Sequence, residues 1–172
     1  ERWQLDFMTT VREVAATSPD LVFFAGRAAE AGEFLKQMRA AGVGARFLGG
    51  PGVDDPRLVQ IGGPATERAY YVSLGPPAGD IADAAARQRL MEAGLRPAGP
   101  YTVLAYDGAR LLLDALGRAI KTTGKPSRAA VADALRSTKT YRGLSGEIDF
   151  DQQGNRRVSP LGVRVLDEGR YP

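Results

Sequence analysis

Asp20-Leu21-Val22-Phe23-Phe24-Ala25-Gly26 is a short apolar run set between two amphipathic helical stretches. That helix-strand-helix order signals a parallel sheet, and a run without polar alternation is expected to be buried on both faces. The next strand candidate, Ala45-Arg46-Phe47-Leu48, ends in Gly49-Gly50-Pro51-Gly52. Two strands thus stop at small residues on what should be one sheet edge. Open α/β sheets bind ligands outside those carboxyl ends.

Working outward, Asp6 is placed to cap a helix through Thr17, with Phe7, Val11 and Val14 at helical spacing and Ser18-Pro19 as the stop. From Ala28 to Ala41 the residues Ala31, Phe34, Leu35 and Met38 share one side, and Gly42 is positioned as a left-handed cap. Pro56 to Ile61 reads as a short helix and Arg68 to Ser73 as a Tyr- and Val-rich strand, after which Gly75-Pro76-Pro77 marks a boundary. Three helical stretches follow: Asp80 to Ala93 closed by Gly94, Pro100 to Lys121 closed near Gly124, and Ser127 to Ser137. The middle one carries a broad apolar stripe of Tyr101, Leu104, Ala105, Leu111, Leu112, Ala115 and Leu116, which needs a sheet or bundle beneath it. Gly146 to Asp151 and Leu161 to Val165 then look like two strands joined through a turn at Gln152 to Asn155.

Composition removes whole classes of chemistry. The 172 residues are 44% hydrophobic, enough for a real core, and contain neither cysteine nor histidine. A Ser-His-Asp triad, a thiolate nucleophile and histidine- or cysteine-ligated zinc are therefore excluded. The formal charge is only +3 and the basic residues are interspersed with acidic ones, so no nucleic-acid footprint is read. No apolar run approaches the roughly 18 to 20 residues of a spanning helix. The chain opens at Glu1 without an initiator methionine or a signal-peptide pattern and reads as a mature or excised piece.

Several motifs compete with plainer explanations. Asp149, Asp151 and Gly154 match three positions of a calcium loop, but Gln153 and Pro160 stand where further ligands should be, so a strand-to-strand turn is preferred. Gly124-Lys125-Pro126 lacks the spacing and the hydroxyl of a phosphate loop. The segment from Gly49 to Gly52 could cradle an anion on backbone N–H groups or form a simple turn. Arg27 follows the first strand at its carboxyl end, where a guanidinium could fork onto a ligand carboxylate or merely sit solvated at a helix start. Tyr101 could stack on a ligand or fill core, and Asp107 could be a buried acceptor or a surface charge.

Taken in order, Asp6-Phe7 with Pro19 to Gly26, Phe47 to Gly50, Gly99-Pro100-Tyr101 with Ala105-Tyr106-Asp107, and Gly146 to Gly154 resemble the branched-chain amino-acid-binding protein family, the periplasmic receptors of ABC-class importers. The likeness runs along almost the whole chain and covers the second half of a full-length member. It implies an α/β fold of the type I periplasmic-binding-protein class: one lobe with a parallel sheet flanked by helices, plus helices of a second, incomplete lobe. The implied division assigns residues 1–74 to the second lobe, 75–145 to helices of the first, and 146–172 to the return and terminal strand.

The same resemblance implies a non-enzymatic receptor that traps a small solute by clamshell closure and delivers it to an ABC permease, without a cofactor, in the periplasm. A sensory domain of the same fold coupled to a signalling partner is the alternative. The expected ligand-binding residues are Gly26, Arg27, Gly50, Pro51 and Tyr101. In leucine-type members an aromatic residue stands at the place of Arg27 and an acidic one, pairing with the ligand ammonium, at the place of Pro51. Those departures favour a keto acid or an aromatic carboxylate over an α-amino acid. The apolar helix faces are expected to find a partner, either an N-terminal half or a second copy.

Overall fold

The computed structural model describes residues 5–75, 81, 84–92, 100–159, 161–168 and 170–171. In chain order the elements are α1 (Met8–Thr17), β1 (Leu21–Phe24), α2 (Ala28–Ala40), β2 (Arg46–Gly49), α3 (Arg57–Gly62), β3 (Tyr70–Ser73), α4 (Ala84–Glu92), α5 (Pro100–Thr123), α6 (Arg128–Arg136), β4 (Tyr141–Gly143), β5 (Gly146–Ile148) and β6 (Gly162–Val165). They form two compact units, Glu1–Ser73 with Leu161–Pro172, and Leu74–Pro160. The expected Pro76-Pro77 boundary, the start of a helix at Asp80, its closure at Ala93-Gly94, and Gly99 and Pro160 lie outside the described residues.

The first unit is a four-stranded sheet in the order β1-β2-β3-β6, with β1, β2 and β3 parallel and β6 antiparallel to β3. Helix α2 buries Ala31, Phe34, Leu35 and Met38, the face its spacing predicts, and Gly42 takes the left-handed conformation at φ 74°. At the start of α1, Asp6 accepts the Met8 N–H at 3.0 Å, but the N-cap is Phe7, one residue after the expected cap. Val11 of α1, the apolar face of α2 and Leu58 of α3 join Phe47 and Tyr71, with Val22 and Phe24 packed against them. Phe24 lies 5.4 Å from the Phe34 ring and 5.9 Å from Phe47, so the first strand and the second helix share one aromatic centre.

The expectation that β1 is buried on both faces is not met. Leu21 and Phe23 are 50% and 60% exposed, while Val22 and Phe24 face the core. On the same side as Phe23 the register places Leu48, Tyr70 and Val165. All three helices of this unit pack on one face; for α2 and α3 this follows because right-handed crossovers advancing in one direction from β1 to β3 stack on one side. An apolar run records that both sides are greasy; it carries no record of which side finds a cover within the chain.

The second unit contains α4, α5, α6 and the β4–β5 hairpin. Ile81, Leu90 and Val103 form its buried cluster, with Tyr106 and Leu144 packed against it. Helix α6 is capped at Ser127, whose hydroxyl accepts the Ala130 N–H at 3.1 Å. Helix α5 buries Val103, Leu111, Ala115 and Ala119, whereas Tyr101 and Leu112 of its expected stripe are 47% and 50% exposed.

The two strands joined through Gln152 to Asn155 lie in different sheets. β5 pairs with β4, a strand without a sequence signal of its own, and β6 pairs with β3 in the first unit. Short strands at this spacing carry no information on long-range partners. Among the described residues no helix is long and apolar enough to cross a membrane.

Candidate ligand-binding site

β1 and β2 run parallel with Phe24 opposite Gly49, so both strands end on the same sheet edge. The Gly50 N–H donates to the Phe24 carbonyl at 3.0 Å and continues the ladder one residue past the strand. Beyond it Pro51–Val53 make a single 3-10 turn, in which the Val53 N–H donates to the Gly50 carbonyl at 3.1 Å and the Asp54 N–H to that of Pro51 at 3.2 Å. Gly52 lies so close to the neighbouring strand end that a Cβ there would run into the Gly26 carbonyl oxygen. Its glycine serves close approach of two backbones; φ at this turn is not what requires it.

Gly26, Arg27, Gly50 and Pro51 are thus brought together at one end of the first unit. Arg27 is exposed and occupies the N-cap of α2 in extended conformation, its own N–H donating to Glu30 Oε2 at 3.3 Å. A guanidinium and the positive end of a 13-residue helix both favour an anion here, and Glu30 in the first turn counters part of that field. Gly50 is buried and Pro51 partly so. Tyr101 belongs to the second unit, in the first turn of α5, with its ring half exposed.

One group near the turn has no sequence signal. Asp54, 5% exposed, accepts a hydrogen bond from the Tyr171 hydroxyl at 2.5 Å across a separation of 117 residues. The Tyr171 ring stacks on Tyr71 of β3 at 6.1 Å and 14° between planes. Burial, with the Asp54 charge adding to it, pushes the Tyr71 hydroxyl up to about 12. Tyr171 is raised as well, by burial first and then by its bond to Asp54. Asp54 Oδ2 and the Tyr71 hydroxyl have no hydrogen-bond partner among the described residues. A lone Asp after a glycine-rich turn and a Tyr in an irregular segment give no periodicity to read.

The calcium pattern resolves as a turn. Asp151 Oδ1 accepts the N–H groups of Gln153 at 2.9 Å and Asn155 at 2.8 Å, and Asp149 faces Arg157 at 3.0 Å. Among the described residues no three acidic side chains are grouped to hold a metal.

A family model described as periplasmic binding protein matches residues 3–170. A Leu/Ile/Val-binding protein homolog of Brucella abortus is 28% identical over 169 residues, spanning 96% of this chain and 44% of the relative. A leucine-binding protein of Thermotoga maritima superposes with a TM-score of 0.83 at 25% identity, covering 97% of this chain and 47% of that one. A solute-binding protein of an ABC transporter from R. palustris, solved with benzoate, has a TM-score of 0.74 at 24% identity over 97% of this chain and 45% of its own length, a likeness of fold. The chain spans about half the length of the relatives it matches.

Proposed function

The chain belongs to the periplasmic binding protein family, with a mixed, mainly parallel sheet of the type I class, and on that premise we propose that it is part of an extracytoplasmic solute receptor serving an ABC permease. The adjoining ends of β1 and β2 form half of the binding cleft. The Arg27 guanidinium holds the polar end of a small carboxylate, the strand ends at Gly26, Gly50 and Pro51 shape its seat, and Tyr101 contributes an aromatic side chain to solute binding. In this division the first unit is the second lobe of the receptor and α4 to α6 belong to the first, and closure of the lobes traps the solute unchanged.

The observation that carries this reading is the pairing of Phe24 with Gly49, which sets two glycine-rich strand ends side by side beneath a cationic helix start. Relatives whose names specify leucine or whose structures hold benzoate support a carboxylate-bearing solute. Calorimetry on the receptor carrying this chain, with leucine, its keto acid and benzoate, tests it. Binding of at least one is expected, with Arg27→Ala weakening it about tenfold, as loss of a charge-assisted bond does. Failure of all three removes the proposed ligand class.

A further inference from the structure

The turn at the end of β2 packs into the core through Val53 and has little else of its own to hold it. Pro51 offers no N–H, Gly52 has no side chain to pack, and the turn's internal bonds at 3.1 and 3.2 Å are ordinary. On its incoming side it is anchored to β1 through the Gly50 N–H. On its outgoing side the next residue is Asp54, whose buried carboxylate receives the Tyr171 hydroxyl. Tyr171 is itself fixed by the stacked ring of Tyr71, a fully buried residue of β3. A carboxylate, a phenol and a second aromatic ring therefore link the turn to the rigid sheet.

We propose that Tyr171 is a positioning residue for solute binding: through its hydrogen bond to Asp54 it holds the turn Gly50–Val53 in the geometry the solute meets. The inference rests on the reading of that turn as part of the solute site. Groups that meet a ligand must be held to within about half an ångström to be effective, and a glycine-proline turn keeps that position only when both flanks are fixed. The acceptor must be an oxygen facing a buried phenol, so Asn at 54 preserves the latch and Ala removes it.

The test compares wild-type receptor with Tyr171→Phe, Asp54→Ala and Asp54→Asn by amide hydrogen exchange and by calorimetry with leucine, its keto acid and benzoate. Tyr171→Phe and Asp54→Ala are expected to speed exchange at Val53 and Asp54 about tenfold, in line with loss of a hydrogen bond to a charged group, while the β1 and β2 ladder amides keep their rates. Solute affinity should fall by a similar factor, and Asp54→Asn should restore both.

Acceleration spread evenly over the first unit, or unchanged affinity in Tyr171→Phe, overturns the inference and makes the contact merely structural. A wild-type receptor that binds none of the three solutes overturns the functional reading instead, and with it the role assigned to Tyr171.

Discussion

Asp107 and Ser145 meet inside the second unit, where one carboxylate oxygen receives both the Ser145 N–H at 2.7 Å and its hydroxyl at 2.6 Å. The other oxygen takes the Leu144 N–H at 2.8 Å, and Arg156 reaches the Ser145 hydroxyl at 2.9 Å from behind. Helix α5 is thereby pinned to the β4–β5 hairpin, and the backbone of Gly143 passes so near that a Cβ would strike the Asp107 carboxylate. Asp107→Ala leaves three donors unmatched and should destabilise the protein by about 3 kcal/mol, read from urea unfolding. Asp107→Asn, which keeps one acceptor, should cost clearly less; equal losses would mean that the neutral acceptor contributes nothing and the charge carries the whole effect.

Glycines divide into those that permit contact and those that do not. Gly52→Ala should push the β2 turn off the Gly26 carbonyl and cost about 1 to 3 kcal/mol. Gly108→Ala, in the interior of α5 with open space around it, should stabilise by about 0.5 to 1 kcal/mol. Thermal unfolding of the pair checks the opposite signs.

The Tyr71 hydroxyl titrates near 12 in the folded state against about 10 unfolded. The folded chain then keeps a proton that the unfolded chain has released. Stability from this group is complete below pH 10 and should fall by about 1.4 kcal/mol per pH unit between 10 and 12. Tyr71→Phe should make that part of the alkaline profile shallower, Tyr171 supplying the slope that remains, and an unaltered slope would rule Tyr71 out.

Leu21 and Phe23 on the sheet, and Tyr101 and Leu112 on α5, leave apolar surface exposed on each unit. Light scattering should show concentration-dependent association of the isolated chain, reduced in Phe23→Lys with Leu112→Lys. A monodisperse monomer in both would contradict the expectation.

Helical periodicity made α2 legible to within a residue, including four of its buried side chains, because a 13-residue amphipathic helix repeats its message every turn. Candidate strand ends at Gly26 and Gly50 were equally readable, since apolar runs punctuated by glycine are local signals. Asp54 and Tyr171 were not. Their hydrogen bond joins residues 117 positions apart, and neither residue type is unusual where it stands.

Local chemistry along the chain was enough to set where helices and strands form, the parallel order of the first strands, and the exclusion of histidine and thiol catalysis, because propensity, spacing and residue type act within a few positions. Folding in three dimensions chose the covered face of β1, paired β6 with β3 in place of β5, and buried Asp107 and Asp54 against partners far away. Those outcomes depend on which surfaces compete for burial and which buried charges find donors, and such competition is resolved only when distant segments meet.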